Sequence, residues 1–142
     1  MKPKLLLLLC MVTLGLASCK KDTIIEETQN KTVIFDIQPT QWKLSTDGKT
    51  YSYQYTNLPE IDDFGLRNEG TLMYISYPNT SGAYTTYAQL PFVYNVDAYS
   101  YEAYNGGVNV LIQSSDLQAS APIRPNTTVR IKVVIITSRN VT

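Results

Sequence analysis

The sequence predicts an all-β chain, an antiparallel β-sandwich of about eight strands, on three observations. Apolar residues recur at every second position in most segments beyond residue 31. Turn dipeptides such as Asp47-Gly48 and Asn105-Gly106 separate those segments at short intervals. No segment carries a sustained helical apolar period, and only residues 60–70 leave room for a turn of helix.

Val33, Phe35 and Ile37 alternate with Thr32, Ile34 and Asp36 in the first strand, which Pro39 ends because proline has no N–H for a ladder. With Asp47-Gly48 as a two-residue loop, Leu44 faces Tyr51 and Trp42 faces Tyr53. Trp42, Leu44, Tyr51, Tyr53 and Tyr55 then share one side, expected to be core. Gln41, Lys43, Ser45, Thr50, Ser52 and Gln54 make the other side, which holds no apolar residue. A slip of one residue would mix the two sets, so burial itself specifies the register.

Residues 72–77 and 84–90 read as strands joined by a polar loop over 78–83. A second hairpin turns at Asn105-Gly106 or Gly106-Gly107. With the first choice, Ala103 opposes Val108, Tyr101 opposes Val110 and Tyr99 opposes Ile112. The closing strand alternates Val129, Ile131, Val133 and Ile135 with Arg130 and Lys132. Val134 and Ile136 then make its second half apolar on both sides, which predicts a central strand covered twice. This spacing fits an immunoglobulin-like or similar sandwich over residues 32–142, long enough to bury about two thirds of its unfolded surface.

Ahead of the domain, Lys2 and Lys4 precede a run free of charge over residues 5–16. That run falls short of the roughly 20 residues a membrane span needs and reads as a signal peptide over residues 1–18. Residues 19–31, dense in charge and without period, read as a flexible tether. Leu16-Ala17-Ser18-Cys19 resembles a bacterial lipobox, which implies lipidation of Cys19 and a protein anchored to the membrane through acyl chains rather than spanning it. Cys10 would leave with the leader, and with Cys19 acylated no disulfide could brace the fold.

Composition narrows the chemistry. The chain has no histidine and two cysteines, which removes imidazole bases, His-ligated zinc and Ser-His-Asp catalysis. Twelve basic residues balance twelve acidic ones, so no basic field exists for a nucleic acid. All eleven tyrosines fall between Tyr51 and Tyr104. Tyr84, Tyr87, Tyr94 and Tyr104, near loops or on polar faces, are the candidates for ligand contact, because flat rings stack on sugar faces. Glu60, Asp62, Asp63 and Glu69, with Asn68 beside them, form an acidic segment from which Asp62, Asp63 and Glu69 are candidate calcium ligands. Nothing brings two carboxylates to face each other as glycoside hydrolysis requires, and a non-enzymatic protein is expected. Ser114-Ser115-Asp116 and residues 124–126 read as turn chemistry with no functional role.

Leu72-Met73-Tyr74-Ile75, the Leu90-Pro91-Phe92 step, the hairpin over 99–112 and the closing strand over 129–136 resemble a group of small extracytoplasmic Bacteroidota proteins of uncharacterised function. The likeness covers about half the chain and rests on strand patterns. Tyr87 stands where relatives often carry tryptophan, and no catalytic residue carries over. The Cys19-Lys20-Lys21-Asp22 junction is similar to those of lipoproteins from that group and to their surface-export signal, and Asp22-Thr23-Ile24 is similar to their O-glycosylation site. The resemblance implies a β-sandwich lipoprotein of the outer membrane, facing the periplasm or the cell surface. Two functions follow as expectations. One is a binding or assembly module that takes an added strand from an envelope protein; the other is a glycan-binding accessory protein using exposed tyrosines, with calcium as a possible ligand of the acidic segment.

Overall fold

Two antiparallel sheets face each other in the computed structural model, which describes residues 29–116 and 119–138. The leader, Cys10, Cys19 and the first part of the tether lie outside the described residues. The strands are β1 (Lys31–Ile37), β2 (Lys43–Leu44), β3 (Thr50–Tyr55), β4 (Gly70–Ser76), β5 (Ala88–Gln89), β6 (Phe92–Tyr94), β7 (Asp97–Tyr104), β8 (Gly107–Ser114) and β9 (Val129–Ile136). A single 3-10 turn (Pro39–Gln41) and one short helix, α1 (Asp63–Asn68), complete the regular structure. One sheet runs in the order β1-β9-β4-β5, the other β2-β3-β8-β7-β6. The chain is an all-β sandwich, as its alternation predicts.

The core is the set of inward residues of both sheets. Val129, Ile131, Val133 and Ile135 of β9 meet Val108, Val110 and Ile112 of β8, all essentially without exposure, with Ile37, Met73 and Ile75 beside them. Rings fill the side nearest β1 and β3. Phe35 stacks on Tyr55 with centroids 4.1 Å apart and planes 2° from parallel, and Trp42 meets Tyr53 edge-on at 6.4 Å. Each such ring pair adds about 0.5–1.5 kcal/mol beyond the area it buries.

Both hairpin registers hold, and one loop differs. Leu44 pairs with Tyr51, and Tyr99, Tyr101 and Ala103 pair with Ile112, Val110 and Val108. The first turn is wider than two residues, however. Ser45 N–H donates to the Thr50 carbonyl at 2.8 Å and Gly48 N–H to the Ser45 carbonyl at 3.0 Å, enclosing Thr46 to Lys49. A primed two-residue turn needs positive φ at both central residues; Gly48 has φ +72° but Asp47 does not. Asp47 instead accepts from the Ser45 hydroxyl and from Lys49 N–H at 3.1 Å, a local arrangement that holds the wider loop. The loop gains an even number of residues, so the pairing is unchanged. Leu44, at the edge of its sheet, is 50% exposed rather than core.

Three other expectations need correction. Residues 84–87 are not strand; only Ala88 and Gln89 pair with β4. β9 is central, flanked by β1 and β4, but its outward Val134 and Ile136 are half-buried because no third layer covers them. β6 and its Asn95-Val96 turn to β7 have no counterpart in the sequence reading, although Asn95 takes φ 54°, a conformation asparagine tolerates better than most residues. The expected turn of helix within 60–70 is α1. Asp62 caps it by accepting Gly65 N–H at 2.7 Å.

Candidate functional site

The sheets part at one end, where the edge strands β5 and β6 meet through the Leu90-Pro91 step. The opening is a cleft of about 660 Å³, within the roughly 300–1,000 Å³ typical of ligand sites. Five segments build its walls. β4 supplies Ile75 and, just past its end, Tyr77; the approach to β5 supplies Thr86, Tyr87 and Ala88; β6 supplies Phe92 and Tyr94; β7 supplies Asp97 and Tyr99; and Ile123, Arg124, Pro125 and Asn126 close it from the loop before β9.

Strand parity explains why so many rings converge. Phe92 pairs with Tyr99 and Tyr94 with Asp97, so all four side chains leave their sheet on the inner side. Deeper in, Phe92 and Tyr99 stack at 5.0 Å, and Tyr99 is buried. Tyr94 belongs to the same face but lies at the open end, where its side has no partner sheet, and it is 64% exposed. Burial above all, and then the neighbouring Tyr99 phenol, raises the Tyr77 phenol well beyond the ordinary tyrosine range. Burial likewise raises Tyr99, with the Asp97 charge adding to the effect. Both phenols therefore stay protonated, able to donate hydrogen bonds at any physiological pH.

Asp97 is 5% exposed and accepts Ile123 N–H at 3.2 Å, which ties the start of β7 to the loop before β9. It is the one carboxylate among the residues lining the cleft. The arrangement offers apolar ring faces, phenolic donors, one fixed acceptor and the Arg124 cation.

The outer face of the same sheet bears a second aromatic cluster. Ile34, Lys132 and Tyr74 form one rung across β1, β9 and β4, and Asp36, Arg130 and Ser76 form the next. Arg130 clasps Asp36 with two bonds of 2.7 and 2.9 Å while its guanidinium lies 4.2 Å from the centroid of Tyr84. The Lys132 ammonium lies 4.6 Å from the Tyr74 ring centre and 4.3 Å from that of Tyr87. Tyr87 thus belongs both to the cleft wall and to this cation-bearing face.

The four candidate tyrosines separate accordingly. Tyr87 and Tyr94 line the cleft. Tyr84 sits on the outer face, its hydroxyl donating to the Thr128 carbonyl at 3.3 Å. Tyr104, at the far end of β7, covers Gly107 and donates to the Tyr55 carbonyl at 3.2 Å, a structural contact. Sequence reasoning missed Tyr77, Phe92, Asp97 and Tyr99. It also gave Arg124 and Asn126 no role, whereas both line the cleft.

The acidic segment does not converge on a cation. Asp62 spends its carboxylate on capping α1, and Asp63 accepts from the Asn105 side chain at 2.8 Å. No group of three or more acidic, histidine or cysteine residues is placed to hold a metal among the described residues, and Glu69 completes no such set. Asp116 accepts from the Ser114 hydroxyl and from Ala119 N–H at 3.0 Å, the turn chemistry expected there.

A second depression, of about 650 Å³, lies on the outer face of the other sheet, lined mainly by amides and hydroxyls that include Gln41, Ser52, Gln54 and Asn109. This is the side of the first hairpin that lacks apolar residues. Among the described residues no helix is long and apolar enough to cross a membrane.

No known protein family, curated protein or solved structure matches this chain.

Proposed function

We propose that this chain is a non-enzymatic, lipid-anchored outer-membrane lipoprotein of the Bacteroidota type whose sandwich binds a saccharide in the aromatic cleft. The observation that carries the reading is the convergence of Tyr77, Tyr87, Phe92, Tyr94 and Tyr99 around the buried carboxylate of Asp97. Pyranose rings present an apolar face of C–H bonds and an equatorial rim of hydroxyls. The rings suit the first and the carboxylate, phenols and Asn126 suit the second. A single acid in the cleft supports binding over hydrolysis, which uses a pair.

Partner recognition by strand addition has less support. β2 and β5 are two residues long and β6 three, too short to template a partner strand. β1 has seven residues but carries Lys31 and Asp36, so it is not the bare, uncharged edge such a mode favours.

The cleft is tested by affinity electrophoresis of the purified protein through gels cast with a panel of soluble polysaccharides. The wild type is expected to be retarded by at least one of them, and Tyr94→Ala, which removes a largely exposed ring, to run freely with its melting temperature unchanged. Retardation that survives Tyr94→Ala, or none in any gel, would overturn the reading. For the anchor, Cys19→Ala is expected to move the protein from the membrane to the soluble fraction, and protease treatment of intact cells reports which side of the outer membrane it occupies.

A further inference from the structure

The saccharide reading above is the basis for one more step, concerning the charge of the ligand. We propose that the cleft takes an acidic saccharide, one bearing carboxylate or sulfate groups, and that Lys132 is the residue that meets its charge at the rim.

The argument starts from the unequal state of two neighbouring cations. Arg130 and Lys132 stand on consecutive outward positions of β9, each against tyrosine rings. Arg130 is already neutralised by its two bonds to Asp36, the one ion pair among the described residues. Lys132 has no such partner among the described residues. The side chain directly across β1 is Ile34, and the one across β4 is Tyr74.

Ring faces attract an ammonium but accept none of its N–H bonds in the manner of a carboxylate, so three donors remain to be used. Two rings restrict where Lys132 rests, which removes much of the side-chain entropy that a surface lysine otherwise loses on gripping an anion. The position matters as much as the charge. One of the two rings is that of Tyr87, a residue that also stands at the edge of the cleft, so Lys132, on the outer face of the sheet, is within reach of an anionic group on a saccharide chain that leaves the cleft over that edge. Arg124 adds a second positive charge on the cleft wall. Asp97, the opposing charge, is buried and tied to Ile123 N–H. The whole chain is formally neutral, so general attraction to polyanions would not account for binding.

The test compares matched ligands on the full-length protein: polygalacturonate against its methyl ester, and dextran sulfate against dextran. Lys132→Gln keeps the stem over the rings and removes the charge, Lys132→Arg restores it, and Lys49→Gln, on the distant first hairpin, controls for charge alone. The expected result is that at least one acidic ligand binds more tightly than its neutral partner, that Lys132→Gln weakens it about tenfold, the scale of one charged hydrogen bond, and that Lys132→Arg recovers most of the loss. The acidic ligand that responds tells carboxylate from sulfate. Equal binding of acidic and neutral partners, or an unchanged affinity in Lys132→Gln, would overturn this inference while loss of binding in Tyr94→Ala still upheld the cleft. Absence of binding to every ligand would overturn both.

Discussion

The Tyr101 hydroxyl donates to the Thr71 carbonyl at 2.5 Å, joining β7 of one sheet to β4 of the other. Few polar contacts cross the interior of a two-sheet sandwich, and this one places a phenolic proton on backbone oxygen while its ring packs against the core. Tyr101→Phe keeps the ring and removes the bond. It is expected to cost about 0.5–1.5 kcal/mol by urea denaturation, with an unchanged denaturant slope.

Trp42 separates packing from polarity. It is buried, meets Tyr53 edge-on, and its indole N–H has no hydrogen-bond partner among the described residues. Trp42→Ala is expected to cost about 3–5 kcal/mol by leaving a cavity, whereas Trp42→Phe should cost much less, since the lost N–H made no bond. A Phe variant as unstable as the Ala variant would contradict this.

Ser76 makes the complementary case. Its hydroxyl is buried and unpartnered among the described residues. Desolvating a hydroxyl without a bond is unfavourable, so Ser76→Ala is expected to leave the melting temperature unchanged or raise it.

Gly107 begins β8 under the Tyr104 ring, where a Cβ would overlap both that ring and the Tyr55 carbonyl. Gly107→Ala is expected to destabilise the fold by about 1–3 kcal/mol through overpacking. Adding Tyr104→Ala, which vacates part of that space, should recover some of the loss in the double variant.

The pH profile follows from three carboxylates and several phenols. Hydrogen bonding from Arg130 lowers Asp36, the Ser45 hydroxyl lowers Asp47, and the Ser114 hydroxyl followed by that of Ser120 brings Asp116 down to about 2. Each group binds its proton less readily when folded, so its contribution is present above about pH 4 and fades as pH falls through the folded value. Burial raises Tyr53, Tyr77, Tyr99 and Tyr101, so their contribution is present below about pH 10 and is lost as pH rises beyond it. The chain has no histidine. Melting temperature should therefore be nearly flat from pH 5 to 8 and fall at both extremes. A spectrophotometric titration should show a subset of tyrosines ionising only on alkaline unfolding.

The sheets were legible where two independent signals agreed. At the hairpins of Leu44 with Tyr51 and of Tyr99 with Ile112, turn residues and alternation demanded the same pairing, and the structure has it, while Trp42 meets Tyr53 through its ring from just outside the strand. β6 was hidden because three residues are too few to display a period. The run from Tyr84 to Tyr87 looked like strand because tyrosine and threonine favour sheets, but its side chains instead cover the charged outer face of β9. The cleft was the least legible feature. Tyr99 and Phe92 have the spacing of core residues, and Asp97 looks like an ordinary acid beside a turn. Only the separation of the sheets at that end makes them a site. The segment from Arg124 to Asn126 bears no pattern of its own, and its place on the wall depends on Asp97 holding Ile123.

Lys31 and the cleft lie at opposite corners of the same sheet. β1 and β5 are its two margins, about 14 Å apart at roughly 4.8 Å per strand spacing. Along the strands, Lys31 is level with Thr71, whereas the cleft begins at Ile75 and Tyr77. With the proposed acyl chains ahead of β1, the domain would hang from the corner diagonally across from its mouth. Because the expected tether is flexible, the domain would be free to turn about that corner, and the aromatic opening, at its far end, would be able to face away from the bilayer and meet long polymers clear of the lipid headgroups.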